Sequence, residues 1–191
     1  MPTPPDFVPN TALTAASLDK IGLWLIETKD VTATATIDFT SVFSTDYRGY
    51  LIEWNYTQNT ALGDLYLQFR DASGVIASNY TWGWGGSYTS SGTGVFGGYS
   101  YQTTAQTSAF MGTGATAGNL VAGRLELFNP QGSGVVYGSG QGQSINYSST
   151  LTFVHIAGGI MHNATATRTG FRLLTNFGTM TGKFSLYGFR N

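Results

Sequence analysis

The chain has 191 residues, a net charge of −1 and only 10% charged residues, against roughly 25% in an average globular protein. No basic run exists to displace counterions, which sets nucleic-acid binding aside. The absence of Cys excludes disulfides and thiolate metal sites and favours folding in a reducing compartment.

Hydrophobic residues make up 41% and aromatics 14%, enough for a core and unlike a disordered chain. The length fits one domain, or one domain plus an arm. Residues 1–20 differ from the rest. Pro2, Pro4, Pro5 and Pro9 are four of the five prolines, and proline cannot donate to a sheet ladder. Pro4, Pro5, Phe7, Val8 and Pro9 read as an extended anchoring arm; "NTALTAASLDK" adds one short helical turn capped by Asn10. A disordered tail is the alternative. The opening residues lack a charged region followed by an apolar one, so no secretory signal is read. The sequons at Asn55, Asn79, Asn146 and Asn163 are then chance products of an Asn- and Thr-rich chain.

From Gly22 the period becomes two. "GLWLIETK" and "VTATATIDFT" read as strands with a turn at Lys29-Asp30. "RGYLIEWNYT" sets Tyr50, Ile52, Trp54 and Tyr56 against Leu51, Glu53 and Asn55. "DLYLQFRDASGVIASNY" predicts a hairpin with Leu65, Leu67 and Phe69 on one face and a turn over Asp71–Gly74. Residues 82–119, rich in Gly, Ser and Thr, read as a long loop region with one or two weak strands, around Tyr99–Thr103. Strands return at "NLVAGRLELFNP", "GVVYGS", "SSTLTFVHIAGGIMHN", "TGFRLLT" and "TGKFSLYGFR". In the last, Phe184, Leu186 and Gly188 share one face. About ten strands without a long amphipathic helix predict an all-β sandwich, residues 21–191, behind the arm. No apolar run reaches the ~20 residues of a membrane span.

Chemistry-bearing residues are few. "VHIAGGIMH" reads as a two-residue turn at Gly158-Gly159 that sets His155 opposite His162. Such a pair could pack at an interface or supply two metal ligands, but no third ligand stands nearby, so no metal is assigned. "GTGVFG" neither follows a strand nor opens a helix, so a flexible loop is read rather than a dinucleotide site, and no cofactor is expected. Glu53 and Glu126 lie mid-strand without the paired-acid pattern of a glycosidase, and no nucleophile elbow occurs, so no catalytic residue is assigned. Tyr80, Trp82, Trp84 and Tyr88 have even spacing and share one face of an extended strand. They could stack on sugars, anchor a protein contact, join copies of the chain, or cap the core.

Four stretches, "TATIDFTSVFSTDYRGYLIEWN", "LYLQFRDASGVIASNYTW", "GRLELFNP" and "GFRLLTNFGTMTGKFSLYGFR", resemble a family of tailed-phage virion proteins. They are similar to tail-fibre-like or capsid-decoration proteins of marine phages and cyanophages. Phe39, Tyr50, Leu67, Phe69, Gly123, Leu125, Leu127, Pro130, Gly182, Leu186 and Gly188 match that pattern. "TDYRGY" and the Arg-Asn ending depart from it. The resemblance implies a jelly-roll-like sandwich, commonly trimeric, shown on a virion built in the host cytoplasm. Other virion proteins are its implied partners, with a host-surface glycan possible. It implies no catalytic residue.

Overall fold

The alternation that begins after Gly22 does become β-structure. The computed structural model describes residues 22–59, 63–90, 93–106, 109–115, 117–132, 134–147, 151–164 and 166–190. Its thirteen strands are β1 (Leu23–Thr34), β2 (Thr36–Phe39), β3 (Tyr47–Gln58), β4 (Gly63–Asp71), β5 (Gly74–Val75), β6 (Tyr80–Ser90), β7 (Thr93–Gln106), β8 (Ala109–Ala115), β9 (Leu120–Phe128), β10 (Gly134–Tyr147), β11 (Leu151–Ala164), β12 (Gly170–Thr175) and β13 (Met180–Arg190). The fold is the expected one, a jelly-roll-like antiparallel sandwich. One sheet has eight strands in the order β1-β13-β3-β9-β10-β11-β6-β7; the other has β2-β12-β4-β5, with β8 also on β4.

The two sheets share one core. Phe39 and Phe171 of the small sheet stack at 4.6 Å. Phe43, on the loop between the sheets, packs edge-on at 4.8 Å against Tyr50 of the large one. Two tyrosines of the large sheet also fix loops by hydrogen bonds. The Tyr50 hydroxyl accepts from Ser44 N at 2.7 Å and donates to Ser44 O. The Tyr80 hydroxyl accepts from Phe69 N at 2.6 Å and donates to Ile76 O. These buried hydroxyls are thereby satisfied, as burial demands.

The β3 alternation is borne out: Tyr50, Ile52, Trp54 and Tyr56 are buried, although Leu51 on the opposite face is buried too. So is the hairpin after β4, where Asp71 Oδ1 accepts from Ser73 N and Gly74 N. The last strand turns Phe184 and Leu186 into the core and lies between β1 and β3.

Three expectations fail. Lys29-Asp30 is no turn: β1 runs through it, with Lys29 opposite Phe184 and Asp30 opposite Lys183. The chain changes sheets at Ala35 instead, after a bulge at Val31–Thr34 in which Ala33 has φ 49°. There the ladder is irregular, and Ala33 N bonds the Thr181 hydroxyl at 3.0 Å. The described residues of 82–119 are no long loop but most of β6, with β8 and with β7, which contains the strand expected around Tyr99–Thr103; Thr93–Gly97 of "GTGVFG" open β7 rather than forming a flexible loop. Low strand propensity is overridden because neighbours complete the ladder on both sides of β6. Gly158-Gly159 is not a hairpin: β11 is continuous, paired along its length with β10 and β6. A Cβ on Gly158 would meet the carbonyl of Gly83 and the Cα of Trp84, so the glycine allows close approach of backbones rather than a turn.

The register places whole rows of side chains across the large sheet. One inward row reads Trp84, Gly158, Gly140, Leu125, Ile52, Leu186. The next reads Gly86, Ile156, Gly142, Gly123, Trp54, Phe184. Large rings lie beside glycines, and a Cβ on Gly123 would collide with the Trp54 ring.

Candidate functional site

The sequence candidates separate once placed. Tyr80 and Trp84 are core residues and Trp82 is half-buried against them. The even spacing was real, but the face it defines points inward, so the aromatic surface cluster is not formed by these three. The side chain of Tyr88 and the arm residues Pro4, Pro5, Phe7, Val8 and Pro9 lie outside the described residues. His155 and His162 do not meet: they sit seven residues apart on one strand, an odd separation that turns them to opposite faces.

His162 instead joins a buried polar node. Arg168, only 1% exposed, donates from Nε to His162 Nδ1 at 2.8 Å. Its Nη1 reaches Gly132 O at 2.8 Å, and its Nη2 reaches Gly134 O at 2.7 Å, with His162 O and Ala164 O farther out. The guanidinium also lies 5.5 Å over the Phe69 ring, while the imidazole packs on Tyr80 at 4.4 Å. The partners of this cation are carbonyls and an imidazole rather than a carboxylate. Accepting from Arg168 requires neutral His162. Burial, followed by the adjacent positive charge, holds its pKa at about 4. The node ties the β9–β10 loop, the end of β11 and the lead into β12, which makes it structural. No sequence signal marked Arg168: the small residues around it in "HNATATRTG" name no partner for its charge.

A surface carrying both polar and apolar groups remains on the outward face of the large sheet. Toward one end it is polar. One outward row reads Thr28, Ser185, Glu53, Arg124, Gln141; the next reads Asp30, Lys183, Asn55, Ala122, Gln143, His155. Ala122 is small, so a groove of about 750 Å³ opens there between Asp30, Glu53, Asn55, Lys183 and Tyr187. Some of its groups are already held: Thr28 and Ser185 share a hydroxyl contact of 3.1 Å, and Lys183 lies 3.7 Å from Asp30. Glu53 and Arg124 stand opposite each other in register, yet neither has an ion pair among the described residues. The groove thus presents donors and acceptors about one strand spacing apart.

Toward the other end the same face is apolar. The row Leu23, Phe189, Gly49, Phe128, Tyr137, Met161 crosses six strands. Leu25, Tyr187 and Leu51 flank it. Leu23, Leu25, Phe128, Val135 and Tyr137 are all markedly exposed. The rings of Phe189 and Phe128 close over Gly49, where a Cβ would touch both. Glu53 and Asn55 were legible as the outward set of β3. The apolar band was not, because its members come from six strands and only the register aligns them.

No protein-family model matches the chain, and no curated protein matches it. Among solved structures it is similar to a galectin of Caenorhabditis elegans, at 11% identity, covering 86% of this chain and 94% of that one, with a TM-score of 0.34. At that level the likeness transfers neither fold nor ligand.

Proposed function

We propose that this chain is a non-enzymatic structural protein of a tailed-phage particle. It is displayed on the head or tail as a decoration protein or short appendage. It joins other virion proteins through residues 1–20 and assembles as a homo-oligomer, three copies being the number the resemblance implies. The observation that carries this reading is the exposed apolar band across the large sheet, since a contiguous patch of this kind marks a contact surface. The resemblance of four stretches to phage virion proteins supports the location. An antibody against the chain should label purified particles, and deleting residues 2–18 should abolish labelling while the sandwich stays folded. Particles unlabelled with the full chain, or still labelled after the deletion, would count against the proposal.

The polar groove favours a second reading, a receptor- or carbohydrate-binding module. Carboxylate, amide and hydroxyl groups beside an aromatic ring suit polyhydroxylated ligands. Under this reading Glu53→Gln with Asn55→Ala abolishes adsorption to host-surface polysaccharide without changing the melting temperature. Trp82→Ala leaves adsorption intact and lowers stability. Adsorption that survives the groove substitutions sinks this reading.

A further inference from the structure

The apolar band has a shape as well as a composition. Tyr137 projects from β10, 56% exposed. Immediately beside it lies a depression of about 380 Å³ floored by Gly83 and Gly159 and walled by Thr81, Met161 and Tyr137 itself. The depression exists because one outward position on each of β6 and β11, Gly83 and Gly159 paired in register, lacks a side chain. A projecting ring and an apolar hole on one face are the elements of a self-complementary contact. In an isologous pair each copy's projection fills the other's hole.

The area is also appropriate. Leu23, Leu25, Val135, Phe128 and Tyr137 are between 36% and 59% exposed. At roughly 200 Å² for a whole residue, they present on the order of 490 Å². A partner in a standard interface contributes about 800 Å², somewhat over half of it apolar. Glu126 is the one charged residue on the flanking row, which runs Leu25, Tyr187, Leu51, Glu126, Ser139, Gly159, Gly83. A charge-poor centre is what an interface core requires.

We infer that the band is a two-fold self-association surface, with Tyr137 of each copy seated in the Gly83/Gly159 depression of the other. The inference rests on the reading of the band as a contact surface, and names a second copy of this chain as its occupant. The polar groove lies toward the other end of the same face, so much of it stays open in the pair. A two-fold contact joins copies in twos, unlike the trimer that the resemblance implies.

Sedimentation velocity on the full chain tests this without any phage particle, so its outcome is separate from that of particle labelling. The wild type should sediment as a dimer at tens of micromolar. Tyr137→Arg, and independently Phe128→Arg, should weaken the dimer roughly tenfold or more, while Phe177→Ser, an exposed residue elsewhere, should not. Melting curves unchanged from wild type show that the variants remain folded. A monomer at every concentration overturns the inference, as does a trimer or an oligomer indifferent to both arginine substitutions. A monomeric wild type that dimerises once residues 2–18 are deleted also overturns it, because the arm then covers the band.

Discussion

The large sheet is built in two ways. Its half formed by β13, β3 and β9 packs side chain on side chain: Phe184, Leu186, Ile52, Trp54, Leu125 and Leu127 fill the inward face. The half formed by β10, β11 and β6 turns Gly138, Gly140, Gly142, Gly158 and Gly86 inward, with Ile156, Ile160 and Trp84 between them. In the first half the core sets the register through volume. In the second it is set by backbones that approach where only hydrogen atoms fit. The difference reaches the outer surface, where the first half carries the polar groove and the second the glycine-floored depression.

Substitutions at matched inward positions expose the contrast. Phe184→Ala should cost about 3–5 kcal/mol in denaturant unfolding, as a buried ring replaced by a cavity does. Gly158→Ala adds one methyl group, yet should cost about 2–3 kcal/mol because that methyl meets backbone atoms of Gly83 and Trp84 that cannot swing away. In an ordinary strand the same change stabilises. An alanine variant as stable as wild type would mean that the glycine half is loosely packed.

The buried node at the edge of the glycine half gives a pH test. His162 folds neutral with a pKa near 4, below its unfolded value of 6.5. The unfolded chain therefore takes up the proton first. The contribution is complete above pH 6.5 and is lost as pH falls toward about 4, by on the order of 2–3 kcal/mol. His162→Gln can still accept from Arg168 and should flatten the stability curve over that window. An unchanged slope would show that other groups cause it.

The small sheet supplies a milder effect. Asp38 accepts from Arg172 Nε and Nη2 at 2.8 Å each and from Arg70 Nη1 at 2.9 Å. The Arg172 hydrogen bond, foremost, holds its carboxyl below the usual range. Its contribution is present above the unfolded pKa and fades as pH falls below it, a more acidic window than that of His162. Asp38→Asn should cost about 1 kcal/mol at low salt and less at high salt. Smallest of all, Glu53→Gln in the open groove should change stability by less than about 0.5 kcal/mol. A larger loss would make Glu53 part of the scaffold.

The same division explains how far the residues could be read in advance. Strands that alternate large apolar with polar residues, such as β3, β4 and β13, announce both their existence and their buried face. Glycine-rich strands do not: β7 and β8 carry a loop-like composition, and "GG" within β11 has the chemistry of a hairpin turn. The aromatic spacing of β6 was legible, but not that its ring-bearing face met a second sheet. Arg168 had no readable partner because four of its five hydrogen bonds are to backbone oxygens. The apolar band depends on cross-strand register, which no single segment encodes.

Central to this account is the claim that the outward face of the large sheet, at its apolar end, is where the protein meets its own kind. Hydroxyl-radical footprinting of the full chain tests it directly, comparing dilute with concentrated protein. Phe128, Tyr137 and Met161 should lose reactivity on concentration, while Tyr66 on the outward face of the small sheet and Phe177 in the β12–β13 turn keep theirs. Protection of Tyr66 with continued oxidation of Tyr137 and Met161 would contradict the account and move the contact to the opposite side of the sandwich.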